Sequence, residues 1–135
     1  MTDRRVATFL LSAVLACGCA DPSAPVPASV SRQVERESGR MRYLLHLPAS
    51  YETRSDWPVI LFLHGAGERG HDLEFVKREG LPRILETLPD FPFVVVSPQE
   101  ERHRLWTSDA LAALIDEICA RHHVDRKRIY ATGLS

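Results

Sequence analysis

PVILFLHGAGERG, residues 58–70, joins an unbroken apolar run to a segment rich in glycine. A run of that length, bounded by turn residues, suits a strand covered on both faces, the condition of parallel sheets flanked by helices. The small residues after it let the backbone take a tight path at the strand's carboxyl end. In an open α/β sheet, ligands gather at that end. The stretch therefore points to an α/β fold and marks where to look for chemistry.

Working outward, FPFVVVS (91–97) is a second apolar run and RIYAT (128–132) a third. Both are expected, like the first, to be covered on both faces. Between them lies TSDALAALIDEICARHHVD, in which Leu111, Leu114, Ile115, Ile118 and Cys119 recur at the spacing of an amphipathic helix. Thr107 or Ser108 is suited to cap its first amides. A shorter helix is expected from Leu81-Pro82, where proline suits the first turn, to about Leu88. Strand, helix and strand in that order predict a right-handed crossover.

Upstream, residues 34–47 suggest a hairpin turning at Ser38-Gly39. Met41, Tyr43, Leu45 and Leu47 alternate with Arg40, Arg42, Leu44 and His46, which predicts an antiparallel edge strand with one wet face. Pro48 ends it. The sequence thus predicts an antiparallel hairpin followed by parallel strands with crossover helices.

The whole chain has 135 residues, enough for one domain. With 44% apolar and 26% charged residues it has the composition of a packed core rather than of a disordered chain. Seventeen Lys and Arg against eighteen Asp and Glu leave a net charge of -1, with no basic stripe, so nucleic acid is not an expected partner. Residues 1–19 have Arg4 and Arg5, then an apolar run too short to span a bilayer, then small residues around Cys17 and Cys19. That is the layout of an export signal. Val14-Leu15-Ala16-Cys17 and Ala16-Cys17-Gly18-Cys19 both resemble a bacterial lipobox, so either Cys17 or Cys19 is the candidate for lipidation, and cleavage of a plain secretory signal is the alternative. The expected location is outside the cytosol, on a membrane only through a lipid anchor. Residues 20–33 are rich in Pro, Ala and Ser and read as a tether, leaving 34–135 as the folded part. Cys119 alone remains in it, so no internal disulfide is expected.

Gly133-Leu134-Ser135 follows the third apolar run and matches the first three positions of G-x-S-x-G, in which a serine is pushed out on a tight strand-to-helix turn. Glycine is needed there because a side chain would meet the neighbouring strand or helix. The HG-x-G at 64–67 has a complementary use, since backbone N–H groups held in a dry site stabilise the oxyanion formed when a serine attacks an acyl carbonyl. Ala66 or Gly67 would supply one such amide, and the residue after Ser135 the other.

HGAGERG after an apolar strand, the preceding YLLHLPASYE, Pro98-Gln99, Trp106 and DRKRIYATGLS together resemble the α/β-hydrolase superfamily over residues 34–135. The resemblance is to the esterase group related to polyhydroxyalkanoate depolymerases, feruloyl esterases, dienelactone hydrolases and prolyl-oligopeptidase catalytic domains. It implies a serine hydrolase of carboxylic esters, small or polymeric, working without a cofactor or metal, with Ser135 as nucleophile. In that family the triad acid and histidine follow the nucleophile. The sequence therefore reads as the amino-terminal part of a hydrolase ending at its nucleophile, an incomplete domain in which Ser135 lacks a base and turnover is expected to be negligible. A prolyl-oligopeptidase-type peptidase would use the same machinery, and a non-catalytic exported binding module would use the glycines only for turns.

The remaining polar residues divide between site and scaffold. His64 is expected to shape its loop rather than carry protons. His46 is expected on an edge strand, His71 and His103 in loops, and the adjacent His122 and His123 pointing apart. Trp106 could line an acyl pocket or simply cover the sheet. Glu68 could touch substrate, or pair with Arg69 to shape the turn. Glu100, Glu101, Arg102 and Arg104 read as a wet, mixed-charge loop.

Overall fold

The computed structural model describes residues 33–39 and 41–135. The expected export signal with Cys17 and Cys19, and the tether up to residue 32, lie outside the described residues. The first strand, β1 (Gln33–Ser38), takes in the last residue assigned to the tether. Gln33 is buried, and its amide donates to the Pro82 carbonyl at 2.8 Å and to the Glu86 carboxylate.

β1 turns at Gly39, whose φ of 58° lies in the left-handed region that glycine enters without strain. It then pairs antiparallel with β2 (Met41–His46), with Ser38 opposite Met41. β3 (Trp57–Leu63), β4 (Val94–Gln99) and β5 (Val124–Gly133) complete a five-stranded sheet in the order β1-β2-β4-β3-β5. β2 is antiparallel to β4, while β3 runs parallel to both β4 and β5. This is the expected hairpin followed by parallel strands.

The continuous apolar runs of β3 and β4 are explained by cover on both faces. On one face lies α2 (Ser108–Arg121), whose Leu114 and Ile118 pack with Tyr43, Leu45, Val59, Leu61, Val94 and Val96. Burying each such aliphatic side chain contributes about 1.5–3 kcal/mol. On the other face, the 3-10 turns Leu73–Arg78 bring Leu73 and Val76 onto Leu44. Beside them α1 (Gly80–Leu85) sets Leu85 against Phe62 and Val95. None of the helices among the described residues is long and apolar enough to cross a membrane.

Several expectations change. β2 is no edge strand: it is paired on both sides, and Tyr43, Leu44, Leu45 and His46 are all buried. Leu44 and His46, read as the wet face, are buried, Leu44 against Leu73 and Val76 in a layer with no clear periodicity in sequence. β5 stands at the sheet edge among the described residues, with Ile129 36% and Tyr130 52% exposed, while its first residue Val124 packs against the cluster under α2. Its ladder with β3 is regular only from Ile129, after an irregularity in which Asp125 accepts from the Lys127 amide at 2.9 Å. α1 stops at Leu85, short of the expected Leu88. Thr107 stands at the amino end of α2, but it accepts the Leu111 amide through its carbonyl and makes no side-chain cap.

Candidate active site

Parallel pairing sets Leu63 opposite Gly133, so the segments that follow β3 and β5 leave the sheet at the same rim. The Leu134 amide donates to the Leu63 carbonyl at 2.9 Å and carries the ladder past the strand ends. Two glycines make this closeness possible. A Cβ on Gly133 would run into the Leu63 carbonyl, and one on Gly65 would stand 2.5 Å from the Ser135 backbone oxygen. Both obstacles are backbone and cannot swing aside as a flexible side chain would. Ser135 and the bend at Gly65, far apart in the chain, are therefore neighbours.

After the extended Gly65, Ala66–Glu68 form one 3-10 turn. Ala66 and Gly67 open that turn, so their amides have no intrahelical acceptor, and both residues are exposed. Five hydrogen bonds and one ring contact fix the loop from behind. The Glu100 amide donates to His64 Nε2 at 3.0 Å, which makes that nitrogen the acceptor and leaves the proton on Nδ1, donated to the Gly65 carbonyl at 2.6 Å. The Gly70 amide donates to the Glu100 carbonyl at 3.0 Å. Gln99 Nε2 donates at 2.8 Å to both the Glu68 and Asp72 carbonyls. Trp106 stands edge-on to the buried His64 ring, 5.0 Å between centroids.

The structure thus gives His64 the loop-shaping position expected of it, with both ring nitrogens engaged. Trp106 lies beside the loop and half covers His64. Glu68 forms no ion pair with Arg69 among the described residues; its Oε2 and the Ser135 backbone oxygen crowd the same side of Gly65. Glu100 is not part of a wet loop. It is 9% exposed and bonds through its backbone to both His64 and Gly70, whereas the neighbouring Glu101 and Arg104 do form an exposed ion pair at 3.2 Å. Gln99 and Glu100 are the supporting residues that pattern reading missed. The available signal was a polar amide closing an otherwise apolar strand.

The other histidines are dispersed. His122 and His123 converge on Tyr51, at the far end of β3, instead of pointing apart without a common partner. No hydrogen bond from His64, His71, His103, His122 or His123 reaches Ser135 among the described residues. No cluster of three or more His, Cys, Asp and Glu that could hold a metal occurs among them either.

Two concavities flank the loop. A larger one of about 690 Å³ lies between the hairpin turn and α2 and includes none of residues 64–69. A smaller one of about 300 Å³ opens directly onto Ala66 and Gly67 and is completed by Arg69, Phe75, Arg102 and His103. Of the two, the second is the one that includes loop residues.

No protein-family model matches this sequence, and no curated protein matches it. Solved structures do. A thermostable esterase is similar with a TM-score of 0.60 at 22% identity, over 79% of this chain and 35% of that one. A thermophilic esterase from the Planctomycetes species Thermogutta terrifontis, with butyrate bound, is similar with a TM-score of 0.54 at 16% identity, over 77% of this chain and 41% of that one. Its propionate-bound form matches to the same degree, with 42% of its length covered. The present chain therefore spans well under half the length of these enzymes, and at such identities the likeness is one of fold.

Proposed function

On an α/β-hydrolase fold, of which this chain carries the hairpin and the first parallel strands, we propose that Ser135 is the nucleophile of a carboxylic-ester hydrolase. One observation carries the reading. The pairing of Leu63 with Gly133 sets the serine against the glycine bend, where Ala66 and Gly67 open a 3-10 turn and are exposed.

In this reading Ser135 Oγ attacks the ester carbonyl carbon as a base takes its proton, and the carbonyl π pair moves onto oxygen. The Ala66 or Gly67 amide donates to that oxyanion, a contact worth about 3 kcal/mol in the transition state. The carbon–oxygen bond to the alcohol then breaks, the alcohol leaves with the proton, and the acyl group stays on Ser135. Water attacks the acyl-enzyme, gives its proton to the base, and restores the hydroxyl as the acid departs. His64 is not that base, because its Nδ1 proton and Nε2 lone pair are both committed to backbone. With no base assigned to Ser135, residues 1–135 are expected to show negligible turnover. Trp106, edge-on to His64, and Glu68, whose Oε2 lies against Gly65, are assigned to substrate contact. Export with a lipid on Cys17 or Cys19 is part of the same proposal, checked by fatty-acid labelling of Cys17→Ser and Cys19→Ser variants.

The test is fluorophosphonate labelling of the natural gene product, mapped by mass spectrometry. Ser135 should carry the adduct, and Ser135→Ala should lose both label and ester hydrolysis. Hydrolysis that survives the substitution would overturn the reading.

A further inference from the structure

The concavity at the loop is cationic. Its wall sets the Arg69 and Arg102 guanidinium groups and His103 around the Ala66 and Gly67 backbone, with Phe75 as its apolar side. Arg78 stacks on the Phe75 ring at 4.0 Å. Of the nearby acids, Glu101 pairs with Arg104 at 3.2 Å, Glu74 with Lys77 at 2.6 Å, the Asp72 carboxylate accepts the Glu74 amide at 3.0 Å, and Glu68, whose Oε2 lies against Gly65, pairs with neither arginine. Arg69 and Arg102 have no carboxylate partner among the described residues. A guanidinium left without a counter-ion beside a concave surface presents a planar fork matched to a carboxylate or phosphate.

We infer that this pocket takes an anionic group of the substrate, so that the ester cleaved carries a carboxylate or phosphate a few bonds from its carbonyl. The inference rests on the esterase reading and adds the substrate class. A neutral acyl chain would leave both guanidinium groups unpaired, whereas an anion held there sets its carbonyl over the Ala66 and Gly67 amides. Arg69 and Arg102 act in binding and orientation, not in the chemical step.

Equilibrium titration separates this from the esterase reading, because it needs no turnover. Monomethyl succinate is compared with its neutral isostere methyl 4-methylpentanoate, and 2-acetoxyethyl phosphate forms a third arm that distinguishes phosphate from carboxylate. At least one anionic ester should bind about tenfold or more tightly than the neutral one, a preference weakened by added salt. An Arg69→Gln/Arg102→Gln double variant should lose that preference, and the exposed Arg102→Gln alone should lose part of it without touching the fold. Equal binding of the three esters, a preference that survives the double substitution, or no binding of either anion at about 10 mM would overturn the inference. Anion preference without fluorophosphonate labelling would instead strike the esterase reading.

Discussion

β3 and β5 are joined at both ends, and the two ends are built in different ways. At the carboxyl end the contact is backbone on backbone: Leu134 bonds to Leu63, with glycine at 65 and 133. At the amino end a backbone bond from the Trp57 amide to the His123 carbonyl at 3.0 Å is enclosed by bulky side chains. Trp57 is 3% exposed and donates through its indole to the Tyr51 carbonyl at 2.9 Å, while the Tyr51 ring stacks on Trp57 and His123. Arg54 lies over the Trp57 ring at 4.9 Å, and Arg128 bridges Asp56 and Asp125 at the surface. The difference has a physical logic. Bulky side chains lock an end by filling space, and a reaction site must leave space unfilled. The rim proposed for chemistry is therefore held from below, by close-packed backbone and by the bonds of Gln99 and Glu100.

Substitutions at the two ends should accordingly fail in different ways. The largest effect is expected at the side-chain end, where Trp57→Ala removes a buried aromatic and should cost about 3–5 kcal/mol in chemical denaturation. Hydrogen exchange should show the loosening first at the His123 and Val124 amides, leaving Leu134 protected. Next comes Gly133→Ala, whose Cβ meets the Leu63 carbonyl and should cost about 1–3 kcal/mol as the strands are pushed apart. Here the Leu134 amide should lose protection first. If both variants open the same amides, the two ends are one unit and the comparison fails.

Gln99→Leu is expected to cost less, about 1 kcal/mol, because the Glu68 and Asp72 carbonyls it leaves can turn to water. Faster exchange of the Gly70 amide would mark its effect on the loop. Least of all is a pH effect confined to the amino end. Burial, with the nearby Arg36, Arg121 and His123 charges adding to it, pushes His122 below the ordinary histidine range, and Tyr51 Oη stands 3.5 Å from its Nδ1. A lowered folded value means the unfolded chain binds the proton more readily. Stability is therefore full above the ordinary value near 6.5 and falls as pH drops below it, toward the lowered one. Melting temperatures should show a shallow decline over that window, absent in His122→Asn; a decline unchanged in that variant would assign it to other groups.

Much of this molecule was legible in its residues. The apolar runs of β3 and β4 announced buried parallel strands because both of their faces pack, and Leu114 and Ile118 announced the inner side of α2 through helical spacing. The glycines at 65 and 133 announced a close approach because no other residue removes the Cβ. Leu44 misled, since its cover comes from the layer at 73–78, whose turns have no period to detect. RIYAT forms the expected strand parallel to β3 and lies at the sheet's edge among the described residues.

What the sequence by itself determined is local: strand and helix identity, the turn at Gly39, and the places where only a missing side chain allows backbone to touch backbone. The meeting of Ser135 with the Gly65 bend was expected from their places after parallel strands, whereas strand order and the gathering of Arg69, Arg102 and His103 about one concavity were decided only by the tertiary structure. Local patterns follow from forces acting within a few residues. A site drawn from segments so distant exists only once parallel pairing has brought their ends to one rim.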